Sequence, residues 1–199
     1  AMRQALTAGK NNEVEVAYIK KFSGKVGDYD LVVLHQLPAA KNPANNVLDQ
    51  LKAAKVPALY ILGEASPSRG IVAAQDLLKF SGKKGTKGND VSARLVPTFN
   101  LFTLSDDLKQ TLPKFPPLTA PFGEFIAGPG AITILKQRIG RVDTEYPLVV
   151  VCESRGVRTG VIAGSVLWQW RLFDDLEYNR HVRFHELLGQ LIHYMTGQS

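Results

Sequence analysis

The chain has 199 residues, 45% hydrophobic and 21% charged, which is enough to bury one core and close to globular averages, so disorder and a fibrous architecture are excluded. Its longest apolar runs, Leu31 to Leu34 and Pro147 to Cys152, fall far short of a bilayer span, and the single cysteine, Cys152, excludes an internal disulfide and a multi-cysteine metal site. The net charge of +6 would admit an anionic partner, but the densest basic group, Lys79, Lys83, Lys84 and Lys87, lies in a glycine-rich stretch without aromatics that could stack on bases, so no nucleic-acid site is indicated.

In chain order, Met2 to Ala8 reads as the last turns of a helix and Glu13 to Ile19 as a strand of alternating valine and glutamate. Ala1 ahead of Met2, with no targeting segment after it, reads as a residue left by a tag, so an excised domain of a larger protein is expected. Asp30 to His35 has the continuous apolar run of a strand buried on both faces. Asn42 can cap a helix with Pro43 at its first position, and Val47, Leu48, Leu51 and Ala54 form its stripe. Pro57 to Leu62 is a second buried strand stopped by Gly63, and Ile71, Ala74, Leu77 and Leu78 mark another helix. Two strand-helix units in series predict parallel pairing.

The stretch from Ser81 to Asp90 reads as a solvated loop, and Arg94 to Leu104 alternates like a strand. Pro113, Pro116, Pro117 and Pro121, interspersed with Phe115, Phe122 and Phe125, predict an ordered excursion anchored by aromatics. Ala131 to Arg138, Tyr146 to Glu153 and Val157 to Ala163 are strands, the last two a hairpin through Ser154, Arg155 and Gly156 forming an antiparallel edge on a parallel sheet. A final helix from about Arg180 to Met195, capped by Asn179, has the stripe Phe184, Leu187, Leu188, Leu191, Ile192 and Met195. There is no internal repeat, and a single domain over residues 1–199 is expected.

The candidate chemistry is sparse. Cys152 sits within an apolar run, where a cysteine behaves as a small hydrophobe rather than a nucleophile. His181 and His185 are four apart, with Glu186 and His193 near, but no HExxH pattern is present and Arg180 and Arg183 would oppose a cation, so no metal is expected. Ser66, with Glu64 and a histidine such as His35, follows a strand end where open α/β sheets place ligands, yet Gly63-Glu64-Ala65-Ser66 is not a G-x-S-x-G elbow. The lysine-glycine stretch lacks phosphate-loop spacing, and no cofactor is expected. Trp168, Trp170 and Arg171 form the most distinctive cluster, either a packed corner or a surface for a ligand or a protein partner.

Four segments carry a resemblance: Tyr29 to Pro38, Phe115-Pro116-Pro117-Leu118, Ile139-Gly140-Arg141-Val142 leading to Tyr146-Pro147-Leu148, and Leu167-Trp168-Gln169-Trp170-Arg171-Leu172. Together the chain resembles bacterial proteins with a class I glutamine amidotransferase-like domain, in which the last segment often reads W-R-W-R; Gln169 here replaces the first arginine. The resemblance implies a three-layer, flavodoxin-like α/β sandwich with a mostly parallel sheet, found as an extracytoplasmic (periplasmic) module of a membrane-anchored protein. It implies no activity, because the family's cysteine at a G-x-C-x-G turn has no counterpart between Pro57 and Ser66. The expectation is a non-catalytic binding or scaffolding module of a larger envelope protein, with a protein partner or neighbouring domains and no membrane insertion by this segment. The alternatives are a hydrolase or amidotransferase-type enzyme using Ser66, Glu64 and His35, and a small-ligand cleft lined by Trp168 or the phenylalanines.

Overall fold

The computed structural model describes residues 2–7, 12–82, 85–178 and 182–197. Its main sheet has seven strands, in chain order β1 (Val32–His35), β2 (Ala58–Ile61), β4 (Asn89–Leu95), β5 (Leu118–Ala120), β7 (Ile132–Ile139), β8 (Val142–Ser154) and β9 (Val157–Ile162). Their spatial order is β1-β2-β9-β8-β7-β4-β5. Strands β3 (Leu78–Ser81) and β6 (Glu124–Ala127) form a separate antiparallel pair.

The expected mostly parallel, flavodoxin-like sheet is not formed. Only β1 with β2 and β2 with β9 run parallel; β9 with β8, β8 with β7, β7 with β4 and β4 with β5 are antiparallel. The reason is the place of the β8–β9 hairpin. Arg155 and Gly156 both have positive φ, 53° and 77°, the geometry of a two-residue hairpin turn whose twist matches the strands. This hairpin lies at the centre of the sheet rather than at an edge, so β9 extends the parallel half while β8 begins an antiparallel one.

Both faces of the sheet are covered because its central strands are apolar on both sides. Leu59 and Ile61 of β2 belong to one core with Val151 and Ile162; Ala58, Tyr60 and Val161 belong to the other with Val150. Helices α1 (Met2–Thr7), α4 (Asp106–Thr111), α5 (Trp168–Tyr178) and α6 (Val182–Thr196) close the first face through Ala5, Leu108, Trp170 and the predicted α6 stripe. Helices α2 (Asn45–Ala54) and α3 (Ser68–Ala74) close the second through Val47, Leu51 and Ile71, together with the β3–β6 pair, where Phe80 and Phe125 stack at 5.1 Å.

Several local expectations fail for identifiable reasons. Glu13 to Ile19 forms no strand. Asn42 does not cap α2; its Oδ1 accepts from the Ala44 N–H at 3.1 Å, and Ala44 itself stands left-handed at the helix start. The helix expected to run through Leu77 and Leu78 stops at Ala74, because the buried Gln75 amide donates to the Ile71 and Leu78 carbonyls and accepts from the Leu78 N–H. These three bonds end the helix and start β3 in one step. The strand expected at Arg94 to Leu104 instead begins at Asn89, inside the stretch read as a loop. Asn179 and Arg180 lie outside the described residues.

The sheet also curls. Thr119 of β5, on the far edge, exchanges backbone hydrogen bonds with Ser165, just past β9, at 2.9 and 3.3 Å. Pro147 within β8 lacks an N–H, and the register with β7 shifts on both sides of it; buried Gln137 donates to its carbonyl at 2.9 Å.

Tyr60, enclosed in the second core, donates to the Ala74 carbonyl, and burial pushes its phenol from 10.0 up to about 12. The fold favours the neutral phenol, so this contribution to stability is complete below pH 10.0 and is lost as the pH climbs towards about 12. Denaturant titrations should show stability falling across that window, with a shallower fall in Tyr60→Phe; equal slopes would contradict the assignment.

Candidate functional site

The parallel strands deliver His35, Ile61 and Ile162 to one end of the sheet, the place where open α/β folds bind ligands. Here that end is packed with the chain's own atoms. Gly63 lies so close to the Gln36 side chain that an added Cβ would meet Gln36 Cδ at 2.7 Å. Glu64 Oε1 accepts from the Gly88 N–H at 2.7 Å, and a Cβ on Gly88 would stand 2.4 Å from the Ala120 carbonyl oxygen. Gly88, in the loop before β4, therefore sits between strand β5 and the turn that follows β2.

Ser66 is held inside that turn. Its Oγ accepts from the Gly63 N–H at 2.8 Å, and its own N–H donates to the Gly63 carbonyl at 3.0 Å. His35, at the end of edge strand β1, is exposed. Among the described residues no hydrogen bond joins Ser66, Glu64 and His35: the carboxylate and the hydroxyl each have a backbone amide as partner instead. A serine needs a hydrogen-bonded base to become a nucleophile, and among the described residues Ser66 has none.

Cys152 lies on β8 opposite Thr159, its Sγ 3.8 Å from the Glu153 carbonyl. Burial, then the negative charges of Asp76 and Glu153, push its thiol up, which disfavours the thiolate that chemistry would require.

On α6, Glu186 accepts from the Ser105 hydroxyl at 3.0 Å, and Ser105 in turn caps α4 by accepting from the Leu108 N–H. Glu186 thus serves a helix junction. Among the described residues no group of three metal-ligating side chains occurs; His181 lies outside them. Lys83 and Lys84 also lie outside, while Lys79 stands exposed on β3.

The tryptophan cluster divides between two environments. Helix α5 was not anticipated as a helix, and its winding turns Trp170 inward and Trp168 outward. Trp170 is 1% exposed; its Nε1 donates to the Pro116 carbonyl at 2.6 Å, and its ring packs 5.2 Å from that of Phe115. Phe115 also meets Phe173 edge-on at 5.6 Å. This fastens the proline-rich segment to the core. Arg171 is half-buried beside it.

Sequence reasoning missed Asp174 altogether. It is 0% exposed, and its Oδ2 accepts from the N–H groups of Arg183 and Phe184 at 2.9 and 3.2 Å, amides of the first turn of α6. Its Oδ1 takes the Arg183 guanidinium at 3.1 Å, and the same guanidinium reaches Asp107 on α4. Hydrogen bonding to Asp107, opposed by burial and aided by Asp174, raises the guanidinium pKa further. One buried carboxylate so caps α6 and, through Arg183, joins three helices.

Leu172 and Leu176 on α5 and Val182 at the start of α6 were also missed; with Trp168, which the sequence had singled out, at 51%, they are 45%, 74% and 58% exposed. The signal was legible: positions 168, 172 and 176 repeat at four-residue spacing.

Among the described residues, cavities lie elsewhere, of which three concern the candidate residues. One of about 20 Å³ beside Trp170 and Phe184 holds no more than a water. One of about 140 Å³ runs along the outer edge of β1, lined by Phe22, Leu31, Val33 and Leu37, with Glu15 accepting from the Tyr29 hydroxyl at 2.6 Å. One of about 310 Å³ lies between α1 and α6. Trp168 lines none of the three.

No family model and no curated protein matches the sequence. Among solved structures, a Salmonella typhimurium protein is similar over 98% of this chain and 85% of its own, at TM-score 0.63 and 16% identity. A second, from Salmonella typhimurium LT2, is similar over 94% of this chain and 84% of its own, at TM-score 0.59 and 13% identity. At these identities the likeness is one of fold. Both are named as cytoplasmic proteins, which points away from a periplasmic module and corrects that expectation. No described helix is long and apolar enough to cross a membrane.

Two outcomes test the site. Asp174→Ala should cost about 3 kcal/mol, since it removes the α6 cap and one partner of a half-buried guanidinium, and lower Tm by roughly 6–12 °C; a loss near zero would show that Asp107 alone suffices. Iodoacetamide should alkylate Cys152 several-fold more slowly in the folded chain than in urea at about pH 8, and equal rates would refute the raised thiol pKa.

Proposed function

We propose that this chain is a non-catalytic binding or scaffolding module, resembling class I glutamine amidotransferase-like domains but without their nucleophile. The observation that carries this reading is the Ser66 hydroxyl, occupied as acceptor for the Gly63 N–H in a turn overlaid by the Glu64–Gly88 contact. The low reactivity implied for the Cys152 thiol supports it from the other side of the chemistry. Binding is assigned to the solvent face of α5, where Trp168 projects from a helix that Trp170 and Asp174 hold rigidly to the core.

The purified chain should show no turnover of L-glutamine or of p-nitrophenyl esters above the uncatalysed rate. Ser66→Ala should lower unfolding free energy by about 1 kcal/mol, the worth of one turn hydrogen bond, without changing either assay. Turnover that disappears in Ser66→Ala would overturn the proposal.

A further inference from the structure

The run Leu31-Val32-Val33-Leu34 carries apolar side chains for both faces of the sheet, yet only Leu34 is buried and the other three are half-buried. They lie on or beside β1, the edge strand, which β2 pairs on one side only. Along the free side runs the segment expected to be a strand. Glu15, Ala17 and Ile19 line the cavity of about 140 Å³ beside β1, while Val16 and Tyr18 between them are 66% and 82% exposed. That alternation belongs to an extended chain with one face turned towards β1. Among the described residues no backbone hydrogen bond joins the two, so the segment borders the edge without closing on it.

The space between them is apolar, lined by Phe22, Val26, Leu31, Val33, Leu37 and Val47. An apolar cavity of about 150 Å³ accommodates a benzene ring, so this one matches a single aromatic ring in size. The Phe22 ring stands 6.3 Å from that of Tyr29 at 51°, and a Cβ on Gly24 would meet Phe22 Cε2 at 3.0 Å, so this aromatic corner is packed against the backbone behind it.

The charged group in the lining is an acid. Glu15 Oε2 accepts from the Tyr29 hydroxyl at 2.6 Å, a neutral partner that leaves the charge of the carboxylate unbalanced. Among the described residues no cation pairs with Glu15; Lys20, Lys21 and Lys25, which follow it in the chain, are exposed and form no ion pair with it. Hydrogen bonding to Glu15, then burial and the charges of Glu15 and Asp28, push the Tyr29 phenol up, so the charges that bear on this hydroxyl are negative. The cavity thus joins a ring-sized apolar interior to an uncompensated negative charge.

We propose that this cavity binds a small arylalkylamine, its ring among the apolar side chains beside β1 and its ammonium against the Glu15 carboxylate. A neutral arene gains the burial without the ion pair, and an anion of the same shape is repelled. The site shares no residue with the exposed face of α5 and goes beyond the reading of that face.

Calorimetry and NMR titrations of the full chain with benzylamine, benzyl alcohol and phenylacetate at low ionic strength test it. Benzylamine should saturate with a Kd of about 5 mM or below, a modest value for so few atoms, and shift the amides of Phe22, Val33 and Leu37. Because Glu15 is exposed, the amine should bind only about threefold tighter than the alcohol, a margin that shrinks as salt is added, and phenylacetate should bind most weakly. Glu15→Gln should erase the margin and leave the alcohol's affinity unchanged. Ala17→Phe, which fills the cavity from the exposed segment, should abolish binding of all three with unchanged circular dichroism. The proposal is overturned by no saturation up to about 20 mM, by phenylacetate binding as well as benzylamine, by a margin that persists in Glu15→Gln, or by shifts centred on Trp168 instead. Any of these leaves the non-catalytic reading standing, whereas turnover of glutamine or an ester strikes that reading and leaves this site untouched.

Discussion

The structure depends on a two-residue turn at the middle of its sheet. Arg155 and Gly156 reverse the chain between β8 and β9, and β9 then enters beside β2 in parallel register. One half of the sheet is thereby a strand-helix-strand unit, and the other an antiparallel set in which β4 lies between β5 and β7, with β8 beyond β7. The strands on either side of this junction are apolar on both faces, so the sheet is stable only when layers cover it above and below. Four helices supply one layer; two helices and the β3–β6 pair supply the other.

Within the first layer, α5 links the packing to the proposed role. Its inner face has no freedom: Trp170 is tied to Pro116 and wedged against Phe115, and Asp174 terminates α6 and pairs with Arg183. An ion pair enclosed this deeply contributes less through attraction than through the cost of leaving either partner alone, so it specifies one arrangement of α4, α5 and α6. The outer face is where large apolar side chains remain in water.

The end of the sheet expected to hold chemistry is used for closure. Gly88 permits β5 and Glu64 to approach, and Thr119 pairs with Ser165 across the curled sheet. A serine, a glutamate and a histidine near strand ends formed a plausible constellation in one dimension. In three, the serine and glutamate each bond to a backbone amide, and the histidine sits on an outer edge strand.

What the sequence determined by itself was local: buried strands such as Ala58–Ile61, the β8–β9 reversal at Arg155-Gly156, the apolar stripe of α6 and the absence of a cysteine after β2. Each follows from side-chain period or backbone conformation over a few residues. Only the tertiary structure decided strand order, and with it the mixed sheet that replaced a parallel one, because a hairpin pattern is the same at an edge and at a centre. It also decided that α3 ends at the Gln75 amide, and that Asp174 is a buried cap rather than one acid among several on α5. In these cases a polar side chain acquires its meaning from partners brought near by folding, which spacing along the chain does not encode.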